Sequence, residues 1–121
     1  MFKKKFTFLI PCFNCEKFIL KNSFKLIKKI EKSRINYQII FINDGSNDNT
    51  FLELKKIKHN KKKIKIISHK ENLGKSEVLK LALKSCNNEI IVFYDCDLPY
   101  FQYLTKLIDL LKKGNKFVTI D

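Results

Sequence analysis

The sequence predicts an α/β fold, in which helices cover both faces of a mostly parallel sheet. Short apolar runs alternate along the chain with longer segments whose apolar residues recur at helical spacing. The short runs are apolar almost without interruption, as in strands that are buried on both faces. The length of 121 residues suits one domain, since single cores usually take about 100–200 residues.

The first predicted strand–helix unit opens the chain. Phe6–Ile10 is an apolar run, and we expect Pro11 to end it because proline has no N–H for a sheet ladder. A helix is predicted from Glu16 to about Lys32, with Asn14 as its N-cap and Glu16 in its first turn. The apolar residues at helical spacing are Ile19, Leu26, Ile27 and Ile30.

The second unit contains the most apolar strand. Tyr37–Ile42 is rich in β-branched residues, and Asp44-Gly45 then turns the chain. The next helix is predicted to begin near Asn47 or Asp48 and to run to about Lys58. Ser46, Asn47 and Asp48 are all residue types that cap helices.

Two further units and a last strand complete the pattern. Ile64–Ile67 is the third strand, and the loop at residues 72–74 precedes a helix with an apolar face of Val78, Leu79, Ala82 and Cys86. Glu89–Tyr94 is the fourth strand. The following helix carries Leu104, Leu107, Ile108 and Leu111 and ends at Gly114, which is a typical C-terminal stop. Phe117–Ile120 is predicted to begin a fifth strand.

The net charge of +13 comes almost entirely from lysine, since Arg34 is the only arginine. Arginine is the usual residue for bidentate contacts to guanine. The densest basic run, Lys55–Lys65, has no aromatic residues for base stacking. We therefore expect no specific nucleic-acid binding. A polyanion-binding protein stays an alternative, and it predicts a steep salt dependence.

No apolar run is long enough to span a membrane. The longest, Ile90–Tyr94, is far shorter than the ~20 residues required. Met1–Lys5 and the apolar run after it resemble the start of a signal peptide, but the run is too short and Pro11 stands where a small residue is needed. We expect a cytoplasmic protein, with peripheral association at the inner face of the membrane favoured by its positive charge.

Polar clusters follow four of the predicted strands. They contain Asn14, Asn43-Asp44, residues 72–75, and Asp95 with Asp97. The carboxyl ends of parallel strands meet at one edge of the sheet, where ligands bind in open α/β folds. Asp95 and Asp97 project to the same side of an extended segment and can hold a hard divalent cation. Asp44, at a strand tip, can accept a hydrogen bond from a nucleobase imide or a ribose hydroxyl.

The cysteines and one lysine suggest other chemistry. Cys12 and Cys15 form a C-x-x-C motif between a strand and a helix, as in thioredoxin-like proteins, but no proline loop accompanies them. Cys86 and Cys96 form no second such pair, which argues against zinc, and we expect reduced thiols. Gly-Lys-Ser at Lys75 resembles the end of a P-loop without its first glycine, so a P-loop nucleotidase stays an alternative.

Four motifs together resemble the nucleotide-binding half of a family 2 glycosyltransferase with the Rossmann-like GT-A fold. Phe8–Glu16 is similar to the opening strand with its Pro-x-Tyr/Phe-Asn-x-Glu pattern, and Ile42–Thr50 to the Asp/Asn-Asp-Gly-Ser-x-Asp-x-Thr segment. Asn72–Lys75 matches the Asn-x-Gly-Lys loop, and Asp95–Leu98 matches the Asp-x-Asp motif. The order and spacing of the motifs also fit the family.

The resemblance implies a nucleotide-sugar donor site. Pro11 and Asn14 would line the nucleotide pocket, with Glu16 at its edge and Asp44 in contact with the base. A UDP-sugar is the default donor, because the carboxylate of Asp44 suits uracil, but GDP and TDP donors use the same scaffold. The acceptor would be a glycan or a lipid phosphate.

The resemblance also implies a divalent metal, Mg²⁺ or Mn²⁺, on the diphosphate of the donor. Lys75 would lie near the diphosphate, Asp95 would face the ribose side, and Asp97 would bind the metal. The Asp-x-Asp-Leu form followed by Pro99 is similar to members that glycosylate polyprenyl phosphates.

Residues 1–121 would form an incomplete donor-binding domain, truncated after the fifth strand. The acceptor half and the catalytic base of the family come later, so we expect the base beyond Asp121. The alternative function is a truncated, non-catalytic module that binds a nucleotide or a partner.

Overall fold

Four parallel strands form the sheet of the computed structural model, which describes residues 2–58, 62–87 and 90–115. The strands are β1 (Phe2–Cys12), β2 (Ile35–Asp44), β3 (Ile64–His69) and β4 (Ile90–Phe93), and their order in the sheet is β3-β2-β1-β4. All three strand pairs are parallel. The predicted α/β fold with a parallel sheet is therefore confirmed. The predicted fifth strand lies outside the described residues.

Helices cover both faces of this sheet, as predicted. They are α1 (Ile19–Lys32), α2 (Thr50–Lys58), α3 (Lys75–Leu83) and α4 (Leu104–Lys112), and a 3₁₀ turn at Phe101–Tyr103 precedes α4. On β1, Phe8 and Ile10 belong to the core cluster that includes residues of α1, α2 and α4. Leu9 points the other way and packs with Val78 and Ala82 of α3. Alternate residues of one strand thus serve two separate cores.

The prediction that Pro11 ends the first strand is wrong. β1 continues through Pro11 to Cys12, and these residues pair with Ile42 and Asn43 of β2. The last register pair between β1 and β4 is Leu9 with Phe93, so Pro11 has a strand neighbour on one side only. A proline is tolerated at such a position because the ladder there needs no second set of hydrogen bonds.

The predicted N-cap of the first helix is also wrong. α1 begins at Ile19, and its N-cap residue, Phe18, makes no side-chain capping hydrogen bond. Asn14 lies in a left-handed conformation, with φ of +50°, and its side chain accepts a hydrogen bond from the N–H of Asn47 instead. Glu16 consequently lies in the turn before the helix and not in its first helical turn.

Other element boundaries differ by a few residues from those predicted. α2 begins at Thr50, and α3 ends at Leu83, so Cys86 follows the helix but still packs against the core cluster that contains Val78. Gly114 has a φ of +97° and follows α4, as expected of a helix stop. Among the described helices none is long and apolar enough to cross a bilayer.

Candidate functional site

A cleft of about 460 Å³ opens at the carboxyl edge of the sheet. Its volume falls within the range of roughly 300–1,000 Å³ that is typical of small-molecule sites. Five of the predicted site residues line it, namely Pro11, Asp44, Lys75, Asp95 and Asp97. Asn14 and Glu16 are not among the lining residues, although both belong to the neighbouring β1–α1 loop.

Asp44 anchors the β3–α3 loop to the end of β2. One carboxylate oxygen accepts the N–H of Leu73 at 2.7 Å, and the other accepts the N–H of Gly74 at 2.9 Å. The side-chain amide of Asn72 donates to the second oxygen and to the Asp44 carbonyl, both at 3.1 Å. The carboxylate is buried, with 3% of the residue exposed. Its hydrogen bonds therefore hold the Asn-x-Gly-Lys loop in place, which the sequence alone did not indicate.

Gly45 allows the two loops to approach this closely. Its φ is +65°, and a Cβ built on it would lie 2.4 Å from the backbone N of Asn72 and 2.4 Å from the carbonyl carbon of Glu71. Side chains rarely adopt this conformation, and backbone atoms cannot move aside as the end of a flexible side chain can. The Asp-Gly pair therefore acts as one unit, with Asp44 bonding the loop and Gly45 leaving space for it.

The segment that follows Gly45, residues 46–50, holds the β1–α1 loop. The backbone N–H groups of residues 14–16 donate in order to the side chains of Ser46, Thr50 and Asp48, at 3.0, 2.9 and 3.2 Å. The Asn14 side chain completes the link by accepting the N–H of Asn47 at 2.7 Å. In this structure Asn14 and Glu16 thus connect two loops, and their contact with a nucleotide stays a prediction.

Asp48 also fixes the start of α2. One of its carboxylate oxygens accepts the N–H of Thr50 at 2.9 Å and the Thr50 hydroxyl at 2.5 Å. Desolvation alone would raise the pKa of Asp48, but the hydrogen bonds from Thr50 and from the N–H of Glu16 outweigh it and lower the pKa below its ordinary value.

We expect Asp48→Ala to lower the free energy of unfolding by about 1 kcal/mol at neutral pH, because the hydrogen bonds that its carboxylate accepts from Thr50 and from the N–H of Glu16 are lost. Because folding lowers the pKa of Asp48, its carboxylate stabilises the folded state fully above the unfolded-state pKa of about 3.9. This stabilisation is lost as the pH falls through the folded-state pKa. Urea unfolding at neutral pH and at about pH 3 measures this, and the wild-type advantage should shrink in acid. An equal effect from Asp109→Ala, at an exposed position on α4, would contradict the assignment.

Lys75 and Asp95 form an ion pair across the cleft. Lys75 is the first residue of α3, and Asp95 follows β4 by two residues. Both side chains are largely exposed, at 58% and 45%, so the pair contributes little to stability, about 0–1 kcal/mol. A bound anion can therefore draw the lysine away from Asp95 at low cost.

Asp97 is exposed and lines the same cleft. Within the described parts of the chain its carboxylate has no hydrogen bond or ion pair. Burial, together with the charges of Asp97 and Asp95, raises the pKa of the nearby Tyr94 to about 12. The Tyr94 hydroxyl donates to the carbonyl of Pro99 at 2.9 Å, which fixes the turn after Asp97. The prediction of an extended segment at Asp95–Asp97 is wrong, because β4 ends at Phe93 and the N–H of Leu98 donates to the Asp95 carbonyl at 3.0 Å, which closes a turn. The Asp97 carboxylate projects from this turn into the cleft.

Three cysteines meet beside this turn. The sulfur atoms of Cys12, Cys15 and Cys96 all lie within 4.8 Å of one another. Hydrogen bonds from Cys12 and Cys96 lower the pKa of the Cys15 thiol. The pKa of the Cys12 thiol is raised, first by its hydrogen bond to Cys15, then by its hydrogen bond to Cys96 and by burial. The sequence showed the C-x-x-C pair but not its third member. Only the pairing of β1 with β4 brings Cys96 to it, and the sequence gives no direct signal of that pairing.

An open parallel sheet with a carboxylate-lined cleft at its carboxyl edge is the arrangement in which Rossmann-like α/β domains bind their ligands, and the four motifs at that edge resemble those of glycosyltransferases with the GT-A fold. The chain belongs to the family described as glycosyl transferase family 2, whose sequence profile matches residues 7–121. The resemblance inferred from the motifs is confirmed.

Curated relatives agree with this family. The chain is 32% identical over 99 residues to the putative glycosyltransferase CsbB of Bacillus subtilis, which covers 81% of this chain and 30% of the relative. It is 37% identical over 94 residues to the poly-β-1,6-N-acetyl-D-glucosamine synthase of Staphylococcus aureus. That alignment covers 75% of this chain and 21% of the relative. The chain thus spans about a third or less of the length of these relatives.

A solved structure shares the fold. The mannosyltransferase PcManGT from Pyrobaculum calidifontis, in complex with GDP-Man and Mn²⁺, superposes with a TM-score of 0.72 at 19% identity. The match covers 92% of this chain and 33% of that one. The predicted GT-A fold is therefore confirmed by structure as well as by sequence.

Proposed function

We propose that the cleft binds the diphosphate of a nucleotide sugar, together with a divalent cation, for transfer of the sugar to an acceptor. The observation that carries the proposal is the convergence of Lys75, Asp95 and Asp97 on one cleft at the carboxyl edge of the sheet. These residues come from two different loops, and they supply one cation and two carboxylates. Family membership favours this function over the P-loop nucleotidase and over a general polyanion-binding protein.

Lys75 is the residue best placed to meet the diphosphate. It lies at the N-terminus of α3, where the helix dipole also favours an anion. In the free protein its ammonium group pairs with Asp95. Donor binding would exchange this weak pair for a contact with phosphate and release Asp95 toward the ribose side.

The residues present fit a hard divalent cation. Mg²⁺ and Mn²⁺ prefer oxygen ligands, and Asp97 offers an exposed carboxylate in the cleft beside that of Asp95. When bound, such a cation stabilises the negative charge that develops on the diphosphate leaving group. The solved relative with GDP-Man holds Mn²⁺, which supports a metal of this type.

The proposal also names the nucleobase of the donor and the class of the acceptor. UDP stays our first choice for the nucleotide, as the resemblance implies, although the Asp44 carboxylate bonds the β3–α3 loop in this structure and its contact with a base is a proposal. Pro11 lines the cleft where the nucleotide would lie. GDP must be compared with it, because the structural relative binds GDP-Man. A glycan or a lipid phosphate at a membrane surface is the proposed acceptor, and the net charge of +13 favours contact with such a surface.

The proposal is tested by thermal unfolding with UDP, GDP and TDP, each with and without Mn²⁺. A nucleotide at about 100 times its Kd stabilises the folded state by about 2.7 kcal/mol, which is roughly 10 °C in Tm for a chain of this size. We expect one nucleotide to give such a rise, and only when the metal is present. Chelation of Mn²⁺ should reverse it.

Asp97→Asn separates the metal site from other causes of stabilisation. We expect the variant to unfold like the wild type without ligand but to lose the Mn²⁺-dependent rise in Tm. Asp109→Asn makes the same chemical change at an exposed position on α4 and should keep the rise. A cooperative melt that no nucleotide shifts, or an equal shift in Asp97→Asn, would refute the donor site as proposed.

A further inference from the structure

The thiol cluster of Cys12, Cys15 and Cys96 is not explained by the donor site. Cys12 ends β1, Cys15 lies in the β1–α1 loop, and Cys96 follows β4. Cys12 and Cys15 are 1% and 2% exposed, Cys96 is half-buried, and all three are free thiols. The fourth cysteine, Cys86, does not belong to the cluster.

The sheet itself brings these sulfur atoms together. Leu9 of β1 pairs in register with Phe93 of β4, and Cys12 and Cys96 each come three residues later. β1 continues to Cys12, whereas β4 ends at Phe93 and the turn after it brings Cys96 beside Cys12. Cys15 returns to Cys12 through the turn of the C-x-x-C motif, and the Thr50 hydroxyl accepts its backbone N–H at 2.9 Å. Cys12 and Cys15 are thus held in buried segments, and the carbonyl of Cys96 accepts a hydrogen bond from the side-chain amide of Asn22 at 3.1 Å.

We propose that Cys12, Cys15 and Cys96 form a binding site for a thiophilic metal ion of the Zn²⁺ type. Zn–S bonds of about 2.3 Å place the sulfur atoms of a tetrahedral site about 3.8 Å apart. The three sulfur atoms already lie within 4.8 Å of one another, so they need to close by about 1 Å or less. A water molecule or another external ligand takes the fourth position.

The chemistry of this site differs from that of the donor cation. Thiolates are soft ligands that select Zn²⁺ over Mg²⁺ or Mn²⁺, whereas the carboxylates of Asp95 and Asp97 suit the hard ions. Mg²⁺ and Mn²⁺ are therefore not expected to displace Zn²⁺ from the three thiols. A disulfide would use only two of the three sulfur atoms and leave one unpaired, whereas a metal ion uses all of them.

An ion in this site would join two loops that line the cleft. Cys96 lies between Asp95 and Asp97, and Cys12 follows Pro11, so the metal would tie the Asp-x-Asp turn to the end of the central strand. The benefit for donor binding rests on the proposed function. The binding of the thiophilic ion does not, and it is measured without any nucleotide.

The test uses the whole chain, reduced with a phosphine and freed of metal with a chelator. Zn²⁺ affinity is measured by competition with a chromophoric chelator, and Cd²⁺ is added to detect the thiolate-to-metal charge-transfer band in the ultraviolet. We expect about one ion per chain, and we expect Cys12→Ser, Cys15→Ser and Cys96→Ser each to weaken binding by about 100-fold or more. Cys86→Ser is the matched control and should bind like the wild type.

A second measurement needs no variant and so does not depend on how well the variants fold. Alkylation of each thiol is followed by mass spectrometry in the wild-type chain, with and without Zn²⁺. Cys96 and Cys86 are both half-buried, so they form a matched pair. We expect Zn²⁺ to protect Cys96 and to leave Cys86 reactive. Equal protection of both, or no binding of Zn²⁺ and Cd²⁺ by reduced, cooperatively melting protein, would overturn the proposal.

Discussion

Gly45→Ala is expected to lower the free energy of unfolding by about 3 kcal/mol, or roughly 10 °C in Tm. An alanine in a left-handed conformation costs roughly 1–2 kcal/mol. The rest comes from the new Cβ, which would lie 2.4 Å from the backbone of Glu71 and of Asn72. Relief requires the β3–α3 loop to move, and this loop is the one that Asp44 holds in place.

Gly114→Ala is the matched control for this substitution. Gly114 also has a positive φ, of +97°, but among the described residues, its own chain neighbours apart, no atom lies within 4 Å of the position of its Cβ. Gly114→Ala therefore has the cost of an alanine at positive φ but not the steric overlap with backbone that Gly45→Ala has. Urea unfolding of both variants measures the difference, and equal destabilisation would mean that the close approach of the two loops is unimportant.

Asp44→Asn is expected to cost about 2–3 kcal/mol, although it changes the shape of the side chain very little. The two carboxylate oxygens accept the N–H groups of Leu73 and Gly74, and an amide has only one oxygen. One of these N–H groups would face the amide NH₂ of the new side chain and would lose its acceptor. Most of the expected loss of stability comes from leaving this buried N–H without a hydrogen-bond acceptor.

The measurement for Asp44→Asn is again urea unfolding, with Asp109→Asn as the control for charge. Asp109 is exposed on α4, and its substitution should change stability by a few tenths of a kcal/mol at most. Amide hydrogen exchange provides a local readout. We expect the amides of Leu73 and Gly74 to exchange faster in Asp44→Asn, and unchanged exchange there would show that Asp44 does not anchor the loop.

Much of the fold could be predicted because the spacing of apolar residues along the chain reflects which faces of the helices and strands are buried. The runs at residues 37–42 and 64–67 are apolar enough to indicate buried strands, and the structure has strands there. Boundaries were less predictable, because they depend on contacts between segments distant in sequence. Asparagine is a common N-cap residue, but the side chain of Asn14 accepts a hydrogen bond from the N–H of Asn47 instead. No rule based on neighbouring residues predicts a hydrogen bond between residues so far apart in the sequence.

The site was predictable in its location but not in its internal hydrogen bonds. The rule that ligands bind at the carboxyl edge of a parallel sheet placed Lys75, Asp95 and Asp97 in one cleft. It could not show that Asp44 bonds the neighbouring loop, or that Cys96 joins the C-x-x-C motif. Both facts depend on which strands are neighbours, and a single sequence carries little information about strand order.

That strand order also constrains how the chain can fold. β1 is formed from the first residues of the chain, yet it lies in the interior of the sheet between β2 and β4. Its pairing with β2 needs only the α1 crossover, whereas its pairing with β4 must close a loop that contains most of the chain. Because loop closure costs more entropy as the loop lengthens, β1 and β2 form the natural nucleus and β4 docks late. The turn after β4, which carries Asp95 and Asp97, is therefore assembled in one of the last steps of folding.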